Sequence, residues 1–303
     1  MKKFSVMTLL GAMLPLVCVT CLTAGCSHNA HSTETLKVGI IPYDKPTKLR
    51  EQFAPFAAYL AKKAGYQSSD VTVTEEYAGV LQALKSDQID IAYLNPLSYA
   101  LAVENFKSSP EHLIPIAMPI MFGKLTYFGD VFVRSDSSIH SMKDLKGKVF
   151  AFGDRTSSSG YLYPASMLMA AGIDPVKDIK YSNLNGPQVV LAVENKQADA
   201  GAIFDGGIEL AIKDPVARKG FRIIATTPEL PNGMLVARGN LDPEKIKKIR
   251  DAVLSMANDP IGAAALKKFS TDKWVAPDDH AFDGVRQKAT LLGLHLKSLD
   301  GKG

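Results

Sequence analysis

Cysteine is almost missing from this chain of 303 residues. The three cysteines, Cys18, Cys21 and Cys26, all lie near the N-terminus, so the rest of the sequence offers no disulfide, thiolate nucleophile or cysteine-ligated metal site. Histidine is also scarce, and we expect His28 and His31, which lie in a short polar stretch, to be solvated. The sequence therefore predicts neither a bound metal nor a cofactor.

An excess of charge of either sign is lacking as well. The chain has 35 Lys and Arg residues against 31 Asp and Glu residues, a formal net charge of +4. We find no basic stripe, no low-complexity block and, after residue 26, no apolar run of membrane length. This balance argues against a nucleic-acid partner. We expect the part of the chain after residue 26 to be soluble, and the protein to be a monomer.

The first 26 residues have the order of a bacterial lipoprotein leader. Met1-Lys2-Lys3 is basic, residues 4–23 are almost wholly apolar, and Leu22-Thr23-Ala24-Gly25-Cys26 resembles a lipobox. This order predicts a signal peptide over residues 1–25, a lipid on Cys26 and a polar tether over residues 26–35. The protein would then be extracytoplasmic and held at a membrane. An uncleaved membrane helix is the alternative, because the apolar run could span a bilayer.

A row of hydroxyl residues lies where a strand is predicted to meet a helix. Thr156, Ser157, Ser158 and Ser159 follow an apolar strand and precede a helical run over residues 165–171. The N-terminus of a helix presents unpaired N–H groups and the positive end of the helix dipole, which together favour anions. One hydroxyl would be enough for an N-cap. The row therefore predicts an oxyanion site, with simple capping as the open alternative.

Predicted strands and helices alternate along the chain, which favours a mainly parallel sheet with helices on both faces. Other predicted strands end at Tyr43, at Tyr93 with Asn95 close behind, and at Asp205. Open α/β sheets bind ligands beyond the carboxyl ends of their strands. Together with the strand before the hydroxyl row, these strand ends predict one ligand cleft.

Two segments of the chain resemble each other. Residues 83–92 and 192–201 each contain the end of a helix, a polar turn and a strand with one acidic residue, Asp90 or Asp199, near its start. This repeat predicts two α/β lobes built from similar units. Chance similarity between two short segments is the open alternative.

A longer pattern carries a family resemblance. Asp144-Leu145-Lys146-Gly147-Lys148 is followed by Ser157-Ser158-Ser159-Gly160-Tyr161-Leu162-x-Pro164. The pair resembles the D-L-K-G-K and S-T-S-G-Y-L-x-P patterns of the PhnD-like periplasmic phosphate-, phosphite- and phosphonate-binding proteins of ABC transporters, with Ser158 at the threonine position. The likeness covers about residues 36–290 and includes Gly39-x-x-Pro42.

This resemblance implies an α/β fold of the two-lobed type II periplasmic binding protein class, with the ligand cleft between the lobes. Lobe 1 would comprise residues 36–124 and 228–303, and lobe 2 residues 125–227. The chain would cross between them near residues 122–127 and 226–233. The resemblance also implies a solute-binding protein of an ABC importer, with a membrane permease as partner and a phosphonate, phosphite or phosphate as ligand.

The resemblance further implies ligand contacts from hydroxyl, amide and carboxylate side chains at strand ends. Asp205 would face an anion, so we expect it to accept a hydrogen bond from a protonated ligand oxygen or an ammonium group. The predicted contacts are Tyr43, Tyr93, Asn95, Tyr127, Ser157, Ser158, Ser159 and Asp205.

One segment departs from the family pattern. Many members carry Gly-x-His followed by Glu or Asp, where this chain has Gly186-Pro187-Gln188. The exact ligand therefore stays open, as do a non-phosphorus anion and a binding lobe that reports to a membrane sensor. An enzyme of the same fold is disfavoured, because the candidate residues include no nucleophile–base pair.

Overall fold

The structure is a computed structural model that describes residues 34–106 and 112–294. The predicted signal peptide, Cys26 and nearly all of the predicted tether lie outside the described residues. Within the described ranges, every helix is too short or too polar to cross a bilayer.

Strands and helices alternate over most of these ranges. The strands are β1 (Thr35–Ile40), β2 (Ser68–Val73), β3 (Ile91–Leu94), β4 (Leu113–Met121), β5 (Thr126–Tyr127), β6 (Gly129–Arg134), β7 (Val149–Phe152), β8 (Lys180–Asn183), β9 (Ala200–Phe204), β10 (Phe221–Thr226), β11 (Leu230–Pro231), β12 (Met234–Arg238) and β13 (Thr271–Val275). The α-helices are α1 (Pro46–Ala64), α2 (Tyr77–Lys85), α3 (Pro96–Phe106), α4 (Tyr163–Ala170), α5 (Gln188–Glu194), α6 (Gly207–Ala211), α7 (Pro215–Arg218), α8 (Pro243–Ser255), α9 (Pro260–Lys267) and α10 (Asp283–Leu291). Shorter helical turns cover Met142–Leu145, Ser158–Leu162, Met256–Asn258 and Asp279–Phe282.

The strands form two main sheets, each of which is mixed. The six-stranded sheet has the order β13-β4-β12-β3-β1-β2, and with its helices we call it lobe 1. The five-stranded sheet has the order β10-β6-β9-β7-β8 and forms lobe 2. Among the described strands, parallel pairing occurs only within the βαβ units. There β1 pairs with β2 and β3, and β7 pairs with β8 and β9. The prediction of a mainly parallel sheet was therefore wrong. Strands next to the crossings between lobes, such as β12 and β6, run antiparallel to these units.

Two short strands carry the chain between the lobes. β5 pairs with β11 in a sheet of its own, with Tyr127 opposite Leu230. Asn232 fixes this crossing, because its side-chain amide donates to the carbonyls of Pro119 at 3.0 Å and Lys124 at 2.9 Å. From the sequence alone, residues 127–134 are predicted to form one strand. That strand is instead divided between β5 and β6, since Tyr127 belongs to the crossing and not to lobe 2.

Helix α1 shows how the sequence builds one wall of lobe 1. Leu49, Phe53 and Phe56 recur at helical spacing and are buried in the core that α1 shares with β1, β2 and β12. Pro46 suits the first turn of the helix, and Gly65 ends it in the left-handed conformation with φ of 81°. The same spacing predicts a helix from the sequence alone, and the structure confirms it.

Helix α3 was not predicted from the sequence. Its residues from Pro96 to Ala102 are all buried, so the segment shows no polar face and no helical period. The C-terminal helix α10 packs against it, and the rings of Tyr99 and Phe282 lie 4.6 Å apart. This packing brings the end of the described chain back to lobe 1.

The internal repeat is confirmed by matching hydrogen bonds in the two lobes. The Asp90 carboxylate accepts from the Lys37 N–H and the Asp199 carboxylate from the Val149 N–H, both at 2.9 Å. The Asp90 and Asp199 backbone N–H groups return bonds of 2.8 Å to the same two residues. Each aspartate thus ties its strand to the neighbouring parallel strand.

Candidate ligand-binding cleft

A cleft of about 720 Å³ is lined by residues of both lobes and of the crossing strands. It lies beyond the carboxyl ends of β1, β3 and β9, where the sequence analysis expected a ligand. Seven of the eight predicted contacts line it, and the exception is Ser158. The seven are Tyr43, Tyr93, Asn95, Tyr127, Ser157, Ser159 and Asp205.

The hydroxyl row forms a wide helical turn ahead of helix α4. The Ser157 hydroxyl accepts a hydrogen bond from the Gly160 N–H at 3.1 Å, so this serine is an N-cap as well as a lining residue. The turn needs glycine at 160, because a Cβ there would lie 2.9 Å from the Cα of Gly153. Ser159 packs against Gly129 at the start of β6. Burial raises the pKa of Tyr127, and the interaction of its hydroxyl with that of Ser159 offsets part of this rise.

Ser158 faces the other lobe instead of the cleft. Its hydroxyl accepts from the Leu97 N–H at 2.8 Å and donates to the Asn95 side-chain oxygen at 3.3 Å. That oxygen also accepts from the Ser98 N–H at 3.0 Å, which fixes the orientation of the Asn95 amide. The Asn95 Nδ2 donor is buried and has no hydrogen-bond partner among the described residues. Since an unpaired buried donor is costly, this group is suited to a ligand acceptor.

Four tyrosines line the cleft: Tyr43, Tyr77, Tyr93 and Tyr127. Burial raises the pKa of Tyr93 to about 12 and raises the pKa of the other three well above the ordinary value. All four therefore remain neutral hydroxyls, able to donate, at any physiological pH. Tyr77 was not among the predicted contacts. It begins α2 shortly after β2 ends, so the expectation that ligands bind beyond the carboxyl ends of strands could have identified it.

Both signs of charge occur in the cleft, whose charged lining residues are Asp44, Lys48, Lys124, Asp205, Glu209 and Lys213. The Lys48 ammonium is paired with the buried Asp44 carboxylate. No histidine and no arginine is found among the lining residues in the described chain, and no cluster there could hold a metal ion. Asp205 is exposed, and its Oδ1 accepts from the Phe128 N–H at 3.2 Å. Its Oδ2 has no hydrogen-bond partner within the described ranges, so it can accept one from a ligand.

The lobes touch at one side of the cleft through the segment that departs from the family pattern. Asn185 donates from its side chain to the Glu75 carbonyl at 2.8 Å. Gly186 has φ of 46°, and a Cβ there would lie 2.5 Å from the Tyr43 carbonyl oxygen. Gln188 is exposed and lies outside the lining. The backbone at this segment therefore approaches the opposite lobe, and the Gln188 side chain does not.

Two α/β lobes joined by paired crossing strands, with a cleft between them, define a type II periplasmic binding protein. The family model for the periplasmic substrate-binding proteins of phosphonate ABC transporters matches residues 38–282, and the chain belongs to this family. Membership places the protein outside the cytoplasm.

Individual relatives agree with this assignment. The chain is 27% identical to the phosphonates-binding periplasmic protein of Escherichia coli (strain K12), over 87% of this chain and 78% of that protein. It is 26% identical to the phosphate-import protein PhnD of Mycolicibacterium smegmatis, over 91% and 94% of the two chains. A binding protein component of an ABC phosphonate transporter from Pseudomonas aeruginosa has a similar crystal structure, with a TM-score of 0.77, 27% identity and 88% of each chain covered.

Proposed function

We propose that this protein is the lipid-anchored binding component of an ABC importer and that it holds a small phosphorus oxyanion in its cleft. The relatives named above bind phosphonates or import phosphate, which supports a phosphorus oxyanion over a carboxylate or a sulfonate. The residues predicted as ligand contacts, apart from Ser158, would form the site. A permease in the membrane would receive the ligand.

The observation that carries this proposal is a set of uncharged donors beside the Asp205 carboxylate, one oxygen of which has no partner among the described residues. Tyrosine hydroxyls, Ser157, Ser159 and the unpaired Asn95 amide can surround an oxyanion without placing a positive charge against it. Each hydrogen bond to a charged group is worth about 1.5–3 kcal/mol. Asp205 adds an acceptor, which favours an anion that still carries a proton. Phosphate, phosphite and phosphonates meet this condition near neutral pH, whereas sulfonates do not.

The test is a thermal-shift screen of the purified full chain, followed by calorimetry. Phosphate, phosphite, methylphosphonate, aminoethylphosphonate, sulfate, taurine and simple carboxylates would each be added. A ligand at one hundred times its dissociation constant should stabilise the folded state by about 2.7 kcal/mol. We expect a shift with at least one phosphorus oxyanion and with neither sulfate nor taurine. A shift with only sulfonates or carboxylates would contradict the proposed ligand class.

The anchor and the importer role need separate tests. Replacing Cys26 with serine should abolish incorporation of labelled palmitate and release the protein from the membrane fraction. Retention of the label in that variant would contradict lipidation at this residue. Deleting the protein should stop uptake of the ligand that the screen identifies. Unchanged uptake would favour the sensor alternative over the importer.

A further inference from the structure

The cleft is much larger than a simple phosphorus oxyanion requires. Its volume of about 720 Å³ falls within the range of roughly 300–1,000 Å³ found for pockets that hold drug-sized ligands. Phosphate, phosphite and methylphosphonate would fill only a small part of it. The remaining space therefore calls for another part of the ligand.

The space beyond the predicted phosphoryl contacts is bounded by an aromatic wall, which we define as Phe53, Phe269 and Trp274. The rings of Phe53 and Phe269 stack at 4.5 Å, and the Trp274 ring lies 6.0 Å from that of Tyr93. All three wall residues are buried and line the cleft. Because Tyr93 is also a predicted ligand contact, the wall continues directly from the phosphoryl end of the cleft.

Phe122 lies at the same end of the cleft in an unfavourable backbone conformation. It lines the cleft, its side chain is 80% exposed, and its φ is 49°. A left-handed φ is rare for bulky residues. Gly123 also has a positive φ, and a two-residue turn with positive φ at both positions usually has Asn before the glycine. The turn is held by the Asp272 carboxylate, which accepts from the Gly123 N–H at 2.6 Å. Strain of this kind is found mostly at functional positions.

We propose that Phe122 and the aromatic wall form a subsite for an apolar, preferably aromatic, substituent on the phosphorus ligand. The inference rests on the proposed function, since it extends the same cleft. The pairing of β4 with β13 sets the Phe122 turn beside the strand of Trp274, because Met121, which precedes Phe122, pairs with Thr271 and Pro119 pairs with Trp274. The polar lining residues near the wall are the uncharged Gln52, Ser270 and Thr271, together with Lys124 and the Lys48 that pairs with Asp44. The apolar surface at this end comes from the aromatic rings. The ligand class is therefore an organophosphonate or phosphate monoester with an apolar group.

The test compares phenylphosphonate with methylphosphonate by calorimetry on the full chain. The wild type should bind phenylphosphonate about tenfold more tightly, because its ring meets the aromatic wall. Replacing Phe122 with Asn should weaken phenylphosphonate binding about threefold to tenfold and leave methylphosphonate binding unchanged. The same variant should melt about 2–4 °C higher, since Asn tolerates the left-handed conformation. Replacing Ile261 with Asn removes another exposed apolar side chain, on α9, as the matched control.

Each other outcome overturns a distinct part of the reasoning. Equal binding of the two ligands by the wild type would refute the subsite and leave the proposed function intact. If no phosphorus oxyanion binds, the proposed function fails and the subsite with it. Unchanged binding of both ligands by Phe122→Asn, with loss of transport, would make Phe122 a permease contact instead. A lower melting temperature for that variant would show that Phe122 is a structural residue of the turn.

Discussion

Replacing Asp205 with Asn should change which protonation state of the ligand the cleft accepts. Asp205 lies directly after β9 and lines the cleft, with one carboxylate oxygen bonded to the Phe128 N–H and the other without a partner in the described chain. A carboxylate can only accept, so a ligand must bring a proton to bond with it. The Asn amide can donate instead. The wild type should therefore select singly ionised phosphonates, and the variant should accept fully ionised anions.

The size of this effect follows from one hydrogen bond to a charged group. Such a bond is worth about 1.5–3 kcal/mol, which corresponds to about a tenfold to 150-fold change in affinity. Above the second ionisation of methylphosphonate, the wild-type dissociation constant should rise about tenfold per pH unit, because binding requires one proton. In Asp205→Asn the dependence should be much flatter. Methanesulfonate, which has no proton to give, should bind only the variant.

The measurement is calorimetry with methylphosphonate and methanesulfonate from about pH 6 to about pH 9, a range that covers the second ionisation of phosphoryl groups. Glu209→Gln is the matched control, since Glu209 lines the same cleft and its replacement removes the same charge. If both variants gain methanesulfonate binding equally, the cause is the loss of one negative charge from the cleft and not the change in hydrogen bonding at residue 205. Parallel pH profiles for the wild type and Asp205→Asn would refute the reasoning outright.

Three further predictions concern stability and closure. Asp90→Ala should destabilise the protein in urea unfolding more than Asp199→Ala, which should cost about 1–3 kcal/mol, because only Asp90 is seen to pair with an arginine, Arg238, in the described chain. Arg238 would keep its contacts with Asp87 and Asn240 in the variant. Burial raises the pKa of Tyr93 from about 10 to about 12. The stability that this shift contributes is present below pH 10 and should be lost between about pH 10 and 12 at about 1.4 kcal/mol per pH unit, so Tyr93→Phe should show a shallower alkaline decline. Gly186→Ala should weaken ligand binding at least tenfold, as measured by calorimetry. The new Cβ would collide with the Tyr43 carbonyl and hold the lobes apart. Equal affinity in the variant would show that the lobes need not touch at this position.

The sequence predicted much of the fold because its strongest signals are local. The apolar period of α1, the strand ends at Tyr43 and Asp205, and the matching bonds of Asp90 and Asp199 all depend on short segments. It failed at α3, which is buried on nearly every side and therefore has no amphipathic period. It also failed on the strand directions next to the crossings, because these depend on how distant segments pair.

The candidate site was harder to predict wherever two lobes meet. Nothing in the spacing of the hydroxyl row shows that Ser158 would bond to Leu97 across the lobes while Ser157 and Ser159 line the cleft. Contact between lobes joins residues far apart in the sequence. Tyr77 was missed for a simpler reason, since a tyrosine at the start of a helix is usually a packing residue.

The repeated and unrepeated parts of the chain have different roles. Asp90 and Asp199 brace equivalent strands in the two lobes, and neither residue lines the cleft. The repeated segments therefore hold in place the strands whose carboxyl ends lie at the cleft. The end of the cleft that holds the aromatic wall includes segments outside the repeat, namely the turn at Phe122 and the strand that carries Trp274. Substitutions in those segments leave the bracing bonds untouched. The size and polarity of the ligand can therefore differ among proteins of this fold while the phosphoryl end of the cleft, and the two lobes that build it, stay the same.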